Sequence, residues 1–453
     1  MADERDKSVV IIGGGAAGLS AANQLQQAGV DAVIVEGRSR LGGRIHTVDV
    51  DGSDAAWVDM GAAWIDDHKT NRVYHLIEPA GAGVEPTVPK LTNVRAYDER
   101  PSRWVGRVRA VLAMGKMGWR IHRLKKPTTK FAHLGERIDT MLGTKAGRFD
   151  EYLLKSVTEL LDGGPVSETH QNAFSDGPWE YLRYKEKTSV MVVGGFRHVV
   201  DELSASLDQD RIFLDHGVVA VKCWPQFEGS YPVVVETANG ATFVGTHVIV
   251  TVPIGVLKAN AIAFEPPLPA EKQDVIERMG VGNVEKVALT FAAPFWREKP
   301  NKAMHFVSVP DPFEPRSVII DVTDTAGAAP GAAANPCLVA ICAADVAKAT
   351  ADRPHDAVES TLATLQQMFP DSYQPPVATA VSTWSADPFS QGVYSYPTPR
   401  TRPGDYTLLG ESCHDSRVLF AGDSCTAEAY LSSVEGAIVS GERAAKAIIE
   451  GVD

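Results

Sequence analysis

A glycine-rich turn near the start of the chain constrains the fold more than any other feature. Residues 9–36 read VVIIGGGAAGLSAANQLQQAGVDAVIVE, and an apolar β-branched run leads directly into Gly13, Gly15 and Gly18. Such a run is typical of a buried parallel strand. Apolar residues at helical spacing follow the turn, and a second short strand closes at Glu36. This order predicts a βαβ unit and therefore a parallel sheet.

The same turn predicts a nucleotide site. Glycines allow a pyrophosphate to approach the backbone closely, and a helix N-terminus offers unpaired N–H groups and a positive dipole end. Glu36 lies 18 residues after Gly18 and can accept hydrogen bonds from a ribose diol. A glycine-rich turn without a nucleotide is the alternative, which the complete order of strand, helix, strand and acid disfavours. The predicted contacts are Gly13, Gly15, Ala16, Ala17, Gly18 and Glu36.

A second cradle follows the acid. Residues 36–44 read EGRSRLGGR, so three arginines and three glycines come directly after the ribose acid. Arginines and glycine amides there could reach a diphosphate, and a nicotinamide enzyme does not need this second cradle. Together the two cradles resemble the flavin-dependent amine oxidases, a family that includes monoamine oxidases, polyamine oxidases and histone lysine demethylases. The match continues through Arg44, with Gly37 in place of the usual alanine.

The resemblance extends along nearly the whole chain. Its further blocks are DMGAAW at 59–64, VGGF at 193–196, GVV at 217–219, TVPIGVLK at 251–258, GVGNVEKVALTFAAPFW at 280–296, FAGDS at 420–424 and EGAIVSGERAA at 435–445. It implies an α/β fold, with a Rossmann-type FAD-binding domain like that of glutathione reductase, interleaved with a substrate domain of mixed sheet and helices. The FAD domain is assigned to 1–84, 191–283 and 397–453, and the substrate domain to 85–190 and 284–396.

The resemblance also implies the cofactor contacts. FAD should be held without a covalent bond, because Val393 stands where monoamine oxidases carry the cysteine that bonds the flavin. Asp423 stands where the family mostly has Glu and should hold the ribityl chain. The last helix should begin near Ser433 and Val434 and direct its dipole at the flavin's pyrimidine edge. The contacts added by the resemblance are Arg38, Gly43, Arg44, Gly61, Ala62, Ala63, Trp64, Val219, Asp423, Ser433 and Val434.

Lys286 is the one lysine in the apolar run of residues 280–296. A lone buried ammonium is costly, so the side chain either points to solvent from a strand edge or serves a function. In the family, a lysine of this motif reaches a water that bridges to flavin N5, and Lys286 matches that position. The resemblance therefore implies a catalytic role, since a cation near N5 stabilises negative charge that develops there.

The block at residues 383–397, TWSADPFSQGVYSYP, resembles the one that faces the flavin on its substrate side. Tyr394 matches a catalytic cage aromatic, whose face favours a nearby cation. Trp384 matches a tryptophan of the same block. For both aromatics, a place in the core is the alternative. Ser433 stands where many monoamine oxidases place the second cage tyrosine, and a half-open cage suits a bulkier or secondary amine.

Three further residues are pocket candidates. Asp66 could pair with the distal ammonium of a polyamine, or belong to a solvated turn in the sequence DDHK. Tyr181 and Tyr184, from WEYLRYKEK, complete the set.

Composition limits the class of protein. A chain of 453 residues favours two domains, and its net charge of −13 disfavours general nucleic-acid binding. Five cysteines without a CxxC predict neither a disulfide framework nor a zinc site, so no metal is expected. The polar start MADERDKS is no signal peptide, and a cytoplasmic protein is expected.

Residues 100–130 run against this acidic background, with ten Lys/Arg and no Asp or Glu. Apolar and basic residues each repeat at helical spacing within the segment. A solvated lid or an oligomer helix is one interpretation. The others are a helix for an anionic membrane surface, a site for an acidic partner, or an entrance for an amine that also bears carboxylates. A basic entrance would repel spermidine.

The leading hypothesis is an FAD-dependent amine oxidase that converts a C–N bond of a secondary or extended amine to an imine, with O2 reoxidising the flavin to give hydrogen peroxide. One alternative is an amine dehydrogenase or oxidative cyclase acting on an acidic amine, and oxygen consumption with amine would separate the two. A second is a flavin-binding interaction protein with little turnover, whose flavin no amine reduces. Amino-acid oxidation would need a pocket arginine that the sequence does not place.

Overall fold

The computed structural model describes residues 7–86, 94–98, 103–144, 146–174, 189–223, 233–297, 305–309, 318–327, 333–426 and 431–451. Two pocket candidates, Tyr181 and Tyr184, lie outside the described residues. In the described part of the chain, no helix is both long and apolar enough to cross a membrane. The five cysteines are buried and form no disulfide with one another.

The strands and helices are numbered in chain order. The strands are β1 (Ser8–Ile12), β2 (Asp31–Val35), β3 (Thr47–Asp49), β4 (Trp57–Asp59), β5 (Val84–Pro86), β6 (Val94–Asp98), β7 (Arg103–Trp104), β8 (Val190–Val192), β9 (Ile212–Phe213), β10 (Val218–Cys223), β11 (Val233–Thr237), β12 (Thr242–Gly245), β13 (His247–Val250), β14 (Ala263–Glu265), β15 (Gly280–Val281), β16 (Val284–Thr290), β17 (His305–Val309), β18 (Val318–Asp321), β19 (Cys337–Ala343), β20 (Ala378–Val381), β21 (Ser395–Tyr396) and β22 (Val418–Phe420). The helices are α1 (Ala16–Gln27), α2 (Arg72–Ile77), α3 (Arg107–Leu124), α4 (Leu134–Leu142), α5 (Arg148–Asp162), α6 (Arg197–Ser204), α7 (Ile254–Lys258), α8 (Ala270–Arg278), α9 (Ala344–Asp352), α10 (Pro354–Met368), α11 (Asp405–Gly410) and α12 (Val434–Glu450).

The predicted βαβ unit forms the centre of a five-stranded parallel sheet. Its strand order is β22-β13-β1-β2-β9, and Ile11 of β1 lies opposite Ile34 of β2 and Ile249 of β13. Every β1 residue from Val9 to Ile12 is buried, as its apolar sequence predicts. Helices α1 and α12 pack together on one face, and a four-stranded sheet, β12-β11-β10-β14, contributes to the core on the other.

A second large sheet is mixed, with strand order β20-β16-β19-β18-β17-β6-β7. Strand β16 lies inside it, antiparallel to β19 and β20, while β17 runs parallel to β6. Because side chains alternate across a strand, Val287 and Leu289 pack into an aromatic-rich core against α10, and Lys286 and Ala288 point to the opposite face. The alternative of a solvent-facing lysine on an edge strand is therefore wrong, since Lys286 lies on an interior strand and is 4% exposed.

The predicted α/β class is confirmed, and the two largest sheets are the parallel five-stranded one and the mixed seven-stranded one. All strands of the seven-stranded sheet lie between residues 94 and 104 or between 284 and 381. The strands of the parallel sheet lie in 8–35, 212–250 and 418–420. The exact bounds of two interleaved domains stay a prediction.

Candidate active site

A cavity of about 1390 Å³ extends from the β1–α1 turn to the inner face of the seven-stranded sheet. It brings together residues that are hundreds of positions apart in the chain. Of the described residues predicted for the site, Gly18 alone does not line it. The lining set is Gly13, Gly15, Ala16, Ala17, Glu36, Arg38, Gly43, Arg44, Gly61, Ala62, Ala63, Trp64, Asp66, Val219, Lys286, Trp384, Tyr394, Asp423, Ser433 and Val434.

Gly18 has a packing role instead. A Cβ at this position would lie 2.0 Å from the carbonyl oxygen of Gly13 and 3.2 Å from the Ile11 side chain. Glycine therefore lets the first turn of α1 lie against β1, which sets the direction of the helix.

The glycine at position 15 indicates space for a ligand. Its φ of −82° suits any residue, and a Cβ there would meet only Gly42 O and Gly43 Cα, both at 3.9 Å. The protein's own packing therefore does not require glycine at this position. Gly15 is the N-cap of α1, and having no side chain it leaves the first-turn N–H groups available. Gly43, at φ +59°, faces it from the second cradle. The arrangement fits a diphosphate between two backbone turns.

Glu36 is held where a ribose would lie. It is 4% exposed, and its two oxygens accept hydrogen bonds from the N–H groups of Gly14 (2.7 Å) and Arg38 (2.8 Å). A carboxylate has about four lone-pair sites, so each oxygen can accept another hydrogen bond from a diol. These contacts fix the acid beside the glycine turn.

The arginines of the second cradle bind the protein itself. Arg38 donates to Asp387 and Ser390, both at 2.7 Å, and Arg40 donates to carbonyls of its own loop, including Gly43 O at 3.0 Å. Arg44 pairs with Asp423 at 2.5 Å and also donates to the Val393 carbonyl. The sequence prediction placed these arginines on a diphosphate. In the structure they hold the loops of the cradle together, Arg38 and Arg44 also line the cavity, and Asp423 has Arg44 as its partner. Their contact with a diphosphate stays a prediction.

The last helix begins where it was predicted. Ser433 is the N-cap of α12, and its Oγ accepts a hydrogen bond from Gly436 N at 3.0 Å. Gly441, two turns into the helix, lies so close to α1 that a Cβ would be 2.1 Å from Ala17 O. Two helix N-termini therefore meet the same cavity. Both direct positive dipole ends at whatever anionic ligand it holds.

Lys286 lies on the cavity wall with its ammonium held by backbone oxygens. Nζ donates to the carbonyls of Asp59 and Gly61, both at 2.7 Å, and lies 5.0 Å from the centre of the Trp64 ring. An ammonium has three N–H donors. The hydrogen bonds within the described residues use two of them. Burial lowers the pKa of Lys286 to about 8, while the Asp59 carboxylate opposes the shift.

The two predicted aromatics are held by different backbone carbonyls. The Tyr394 hydroxyl donates to the Leu160 carbonyl of α5 at 3.0 Å, which fixes the ring on the cavity wall against α5. Trp384 donates from Nε1 to Met60 O at 2.8 Å and packs against Gly61, whose added Cβ would lie 3.3 Å from the indole. Trp384 therefore lies against the backbone of residues 60–61, and Tyr394 belongs to the α5 side.

Sequence reasoning missed Glu285, the neighbour of Lys286. It is fully buried and accepts hydrogen bonds from Ser382 Oγ (2.5 Å) and Ser385 N (2.8 Å). Burial raises the pKa of this carboxyl, and the hydrogen bonds oppose the rise. The acid ties β16 to the loop that carries Trp384. Its signal in the sequence was a second charge beside the lysine in an apolar strand.

The cavity walls formed mainly by α5 and the seven-stranded sheet, which we call the substrate half, were also missed by sequence reasoning. They are apolar, and the part of them on α5 was signalled only by the helical spacing of its apolar residues. His305 interrupts them, with its Nδ1 buried and without a hydrogen-bond partner among the described residues, and burial lowers its pKa. Asp66 lies at an exposed position and accepts a hydrogen bond from Ser189 Oγ. The apolar lining consists of Met117, Leu153, Val157, Leu160, Leu161, Phe174, Met191, Val307, Ile320 and Ile341.

Comparison with known proteins agrees with this geometry. Residues 16–449 match the family described as flavin containing amine oxidoreductase. The probable polyamine oxidase 4 of Arabidopsis thaliana is 28% identical over 97% of this chain and 86% of its own. The lysine-specific histone demethylase 2 of Homo sapiens is 26% identical over 98% of this chain, which spans 54% of that protein. A solved structure of a redesigned putrescine oxidase superposes with a TM-score of 0.75 at 19% identity, covering 98% of this chain and 99% of the other.

Proposed function

The chain belongs to the flavin containing amine oxidoreductases, and from this premise we propose that it oxidises a C–N bond of a secondary or extended amine to an imine and transfers the electrons to oxygen, which gives hydrogen peroxide. The protein is an FAD-dependent amine oxidase. FAD supplies the acceptor for the hydride equivalent that leaves the carbon next to the amine nitrogen. The glycine turns, Glu36 and the two helix N-termini hold it.

The observation that carries the proposal is the buried ammonium of Lys286. Its contacts with the Asp59 and Gly61 carbonyls fix a positive charge on the cavity wall, 5.0 Å from the Trp64 ring. A fixed cation stabilises negative charge that develops beside it, at little cost in reorganisation. The side chain is positioned by β16, an interior strand, so the charge cannot move away from the site.

The apolar walls prepare the amine for reaction. An ammonium ion must lose its proton before the nitrogen lone pair can assist removal of hydrogen from the adjacent carbon. Side chains such as Leu153, Val157 and Ile341 exclude water, and desolvation favours the neutral form of an amine. The positive charge of Lys286 works in the same direction. These walls also supply the volume that an extended substituent on nitrogen requires.

The polar groups of the substrate half indicate how the site selects substrates by length. Tyr394 presents an aromatic ring to the cavity, and Asp66 offers a carboxylate at an exposed position on the lining. The names of two similar proteins, a polyamine oxidase and a putrescine oxidase, favour a substrate with a second amino group. In that case Asp66 pairs with the distal ammonium.

The test is anaerobic mixing of the FAD-loaded protein with aryl monoamines, spermidine, N-acetylated polyamines and carboxylate-bearing amines, followed by the visible flavin band. Bleaching by one class supports amine oxidation and identifies the substrate class. Admission of air should then restore the band and release peroxide in equal amount to the amine consumed. A flavin that dithionite bleaches and no amine bleaches would contradict the proposal for these classes.

A single variant separates polyamines from amines with one nitrogen. Asp66→Asn should raise the KM for spermidine about two- to fivefold, since the distal ammonium loses an exposed carboxylate partner. The KM for an aryl monoamine should stay unchanged in the same variant. Equal KM values for spermidine in both proteins would remove Asp66 from the site.

A further inference from the structure

The outer face of α3 combines exposed apolar and basic side chains. Leu112, Lys116, Trp119 and Arg123 follow the spacing i, i+4, i+7 and i+11, which places them on one face of the helix. Leu112 is 60% exposed and Trp119 is 58% exposed, and the Arg123 guanidinium lies 4.9 Å from the centre of the Trp119 ring. We call these four residues the α3 face. Large apolar side chains at such exposure mark an interaction surface when they occur together.

The segment that carries the α3 face contains basic residues and no acidic ones. Residues 100–130 contain ten Lys/Arg and no acid, in a chain of net charge −13. Arg120, one position along from Trp119, is only partly exposed and lies 3.8 Å from Asp150 of α5. Lys116, Lys126 and Lys130 are exposed and pair with no acid among the described residues. The segment therefore keeps a concentrated positive charge directed outward.

We propose that α3 docks this enzyme on an anionic lipid surface, with Trp119 and Leu112 entering the interface and Lys116 and Arg123 meeting the lipid phosphates. Tryptophan has an amphipathic ring suited to the headgroup region, and leucine gains by leaving water. Lysine and arginine reach headgroups while their alkyl stems stay beside the apolar residues. Negative surface potential attracts each such cation. An acidic protein partner would pair with the basic side chains, but it would not account for the exposure of Leu112 and Trp119.

A neighbouring face of the same helix joins this surface to the cavity. The α3 residues Ala113 and Leu124 are buried against the rest of the protein, and Met117 contributes to the cavity wall. Docking therefore places the substrate half of the cavity within one helix diameter, about 10 Å, of the lipid. The docking itself is independent of the proposed function, since it requires neither flavin nor amine.

The experiment is co-sedimentation of the FAD-loaded 453-residue chain with vesicles. One set is pure phosphatidylcholine, and the other contains about one-third phosphatidylserine. Binding is expected to the anionic vesicles alone and should fall at least tenfold as NaCl rises from about 0.05 M to about 0.5 M. Equal binding to both vesicle types, or no binding to either at low salt, would overturn the proposal.

Variants locate the surface. The double change Lys116→Glu and Arg123→Glu should lower the affinity for anionic vesicles by at least about tenfold. Lys348→Glu with Lys446→Glu is the matched control, because it makes the same charge change on exposed residues of α9 and α12. Trp119→Ala should also weaken binding, whereas Val377→Ala, at a position 65% exposed elsewhere, should not. Flavin content and amine-driven bleaching serve as folding controls.

Insertion gives a separate readout. Vesicles that carry brominated acyl chains should quench more tryptophan fluorescence in the original protein than in Trp119→Phe. Vesicle binding that the α3 double variant retains in full would overturn the assignment.

Light scattering tests whether a second copy of the chain occupies the α3 face. Self-association that the same double variant abolishes, without vesicle binding, would replace the lipid proposal. Since bleaching by amines is measured apart from vesicles, either hypothesis can fail alone.

Discussion

Gly15 is a residue whose identity is explained by a ligand and not by the fold. Its φ is ordinary, and the nearest protein atoms to an added Cβ lie at 3.9 Å. Gly15→Val should therefore fold but lose FAD, because the valine methyl groups occupy the space of a diphosphate. Absorbance of the purified protein measures the flavin content, and circular dichroism checks the fold. Gly106→Val, where an added Cβ also meets open space, is the control and should stay yellow.

Lys286 should control the chemistry without controlling cofactor binding. Lys286→Met removes the charge and keeps the length of the side chain, so the protein should still load FAD. Reduction by amine or restoration of the flavin band by oxygen should slow by roughly 10²-fold, the effect of removing one preorganised charge-stabilising group. Stopped-flow absorbance measures both half-reactions. Unchanged rates in both would contradict the assigned role.

The same residue predicts a pH dependence. Burial lowers the pKa of Lys286 to about 8, so the ammonium loses its proton as pH rises through that value. The rate that depends on its charge should fall between about pH 7 and pH 9 in the original protein. In Lys286→Met this titration should be absent. A decline with the same midpoint in both proteins would assign it to another group.

Glu159, near the end of α5, makes the stability of the fold depend on pH, because burial raises its pKa. Its Oε1 accepts from Val166 N at 3.2 Å, its Oε2 has no partner among the described residues, and burial raises its pKa to about 7. Between the ordinary pKa of 4.5 and the raised pKa of about 7, the carboxyl therefore keeps its proton in the folded state and loses it in the unfolded state. This contribution to stability is complete below the unfolded pKa and is lost as pH rises to about 7.

Glu159→Gln should remove that loss. We expect the free energy of unfolding of the variant to exceed that of the original protein at pH 8, by on the order of 3 kcal/mol, and to match it near pH 5. Denaturant titrations across this range measure the difference. Glu359→Gln, at a side chain 69% exposed, should leave the pH profile unchanged. A parallel shift of Glu159→Gln at every pH would show that packing and not protonation is responsible.

Among elements, the contact between α1 and α12 sets the geometry of the cofactor cradle. Gly441→Val would place a Cβ 2.1 Å from Ala17 O, a backbone atom that can yield only if the helices separate. The variant should lose FAD content and, from overpacking, about 1–3 kcal/mol of stability. Lys446→Val in the same helix controls for the helix propensity of valine, since that side chain is 69% exposed. Full FAD content in Gly441→Val would separate the cradle from the helix contact.

The sequence predicted elements better than it predicted contacts between them. The start of α12 at Ser433, the βαβ order and the lysine-bearing strand follow from local patterns of apolar, capping and glycine residues. The partners of Lys286 could not be predicted, because they are the backbone oxygens of Asp59 and Gly61. Every residue type has a backbone carbonyl, so the residue types in the sequence do not show which carbonyls will bind the lysine. Only the fold places them beside β16.

The walls of the substrate half show a second limit. Leu153 and Leu160 on α5, or Ile341 on β19, line a cavity, yet their sequence pattern is the same as that of residues which pack a core. Whether an apolar side chain meets a neighbour or an open space depends on how the helix lies over the sheet. Local periodicity therefore predicted the elements and left the specificity of the pocket undetermined.

At the scale of the whole molecule, one cavity connects the parallel sheet to the mixed sheet. Its lining runs from Ile12 to Ala437 and takes residues from both. A ligand in this space contacts both layers, so its binding energy should add to the stability of both. For a ligand that binds only the folded state at about 100 times its Kd, the gain is roughly 3 kcal/mol.

Removal of FAD should therefore weaken the molecule as a whole. We expect protein stripped of flavin to unfold at a Tm several degrees lower, with far-UV circular dichroism and tryptophan fluorescence changing together. Added FAD should restore the Tm in proportion to the logarithm of its concentration. Gly15→Val supplies the control, since its Tm should equal that of the stripped protein and ignore added FAD. A Tm that FAD raises in the variant as much as in the original would place the stabilising site outside the glycine cradle.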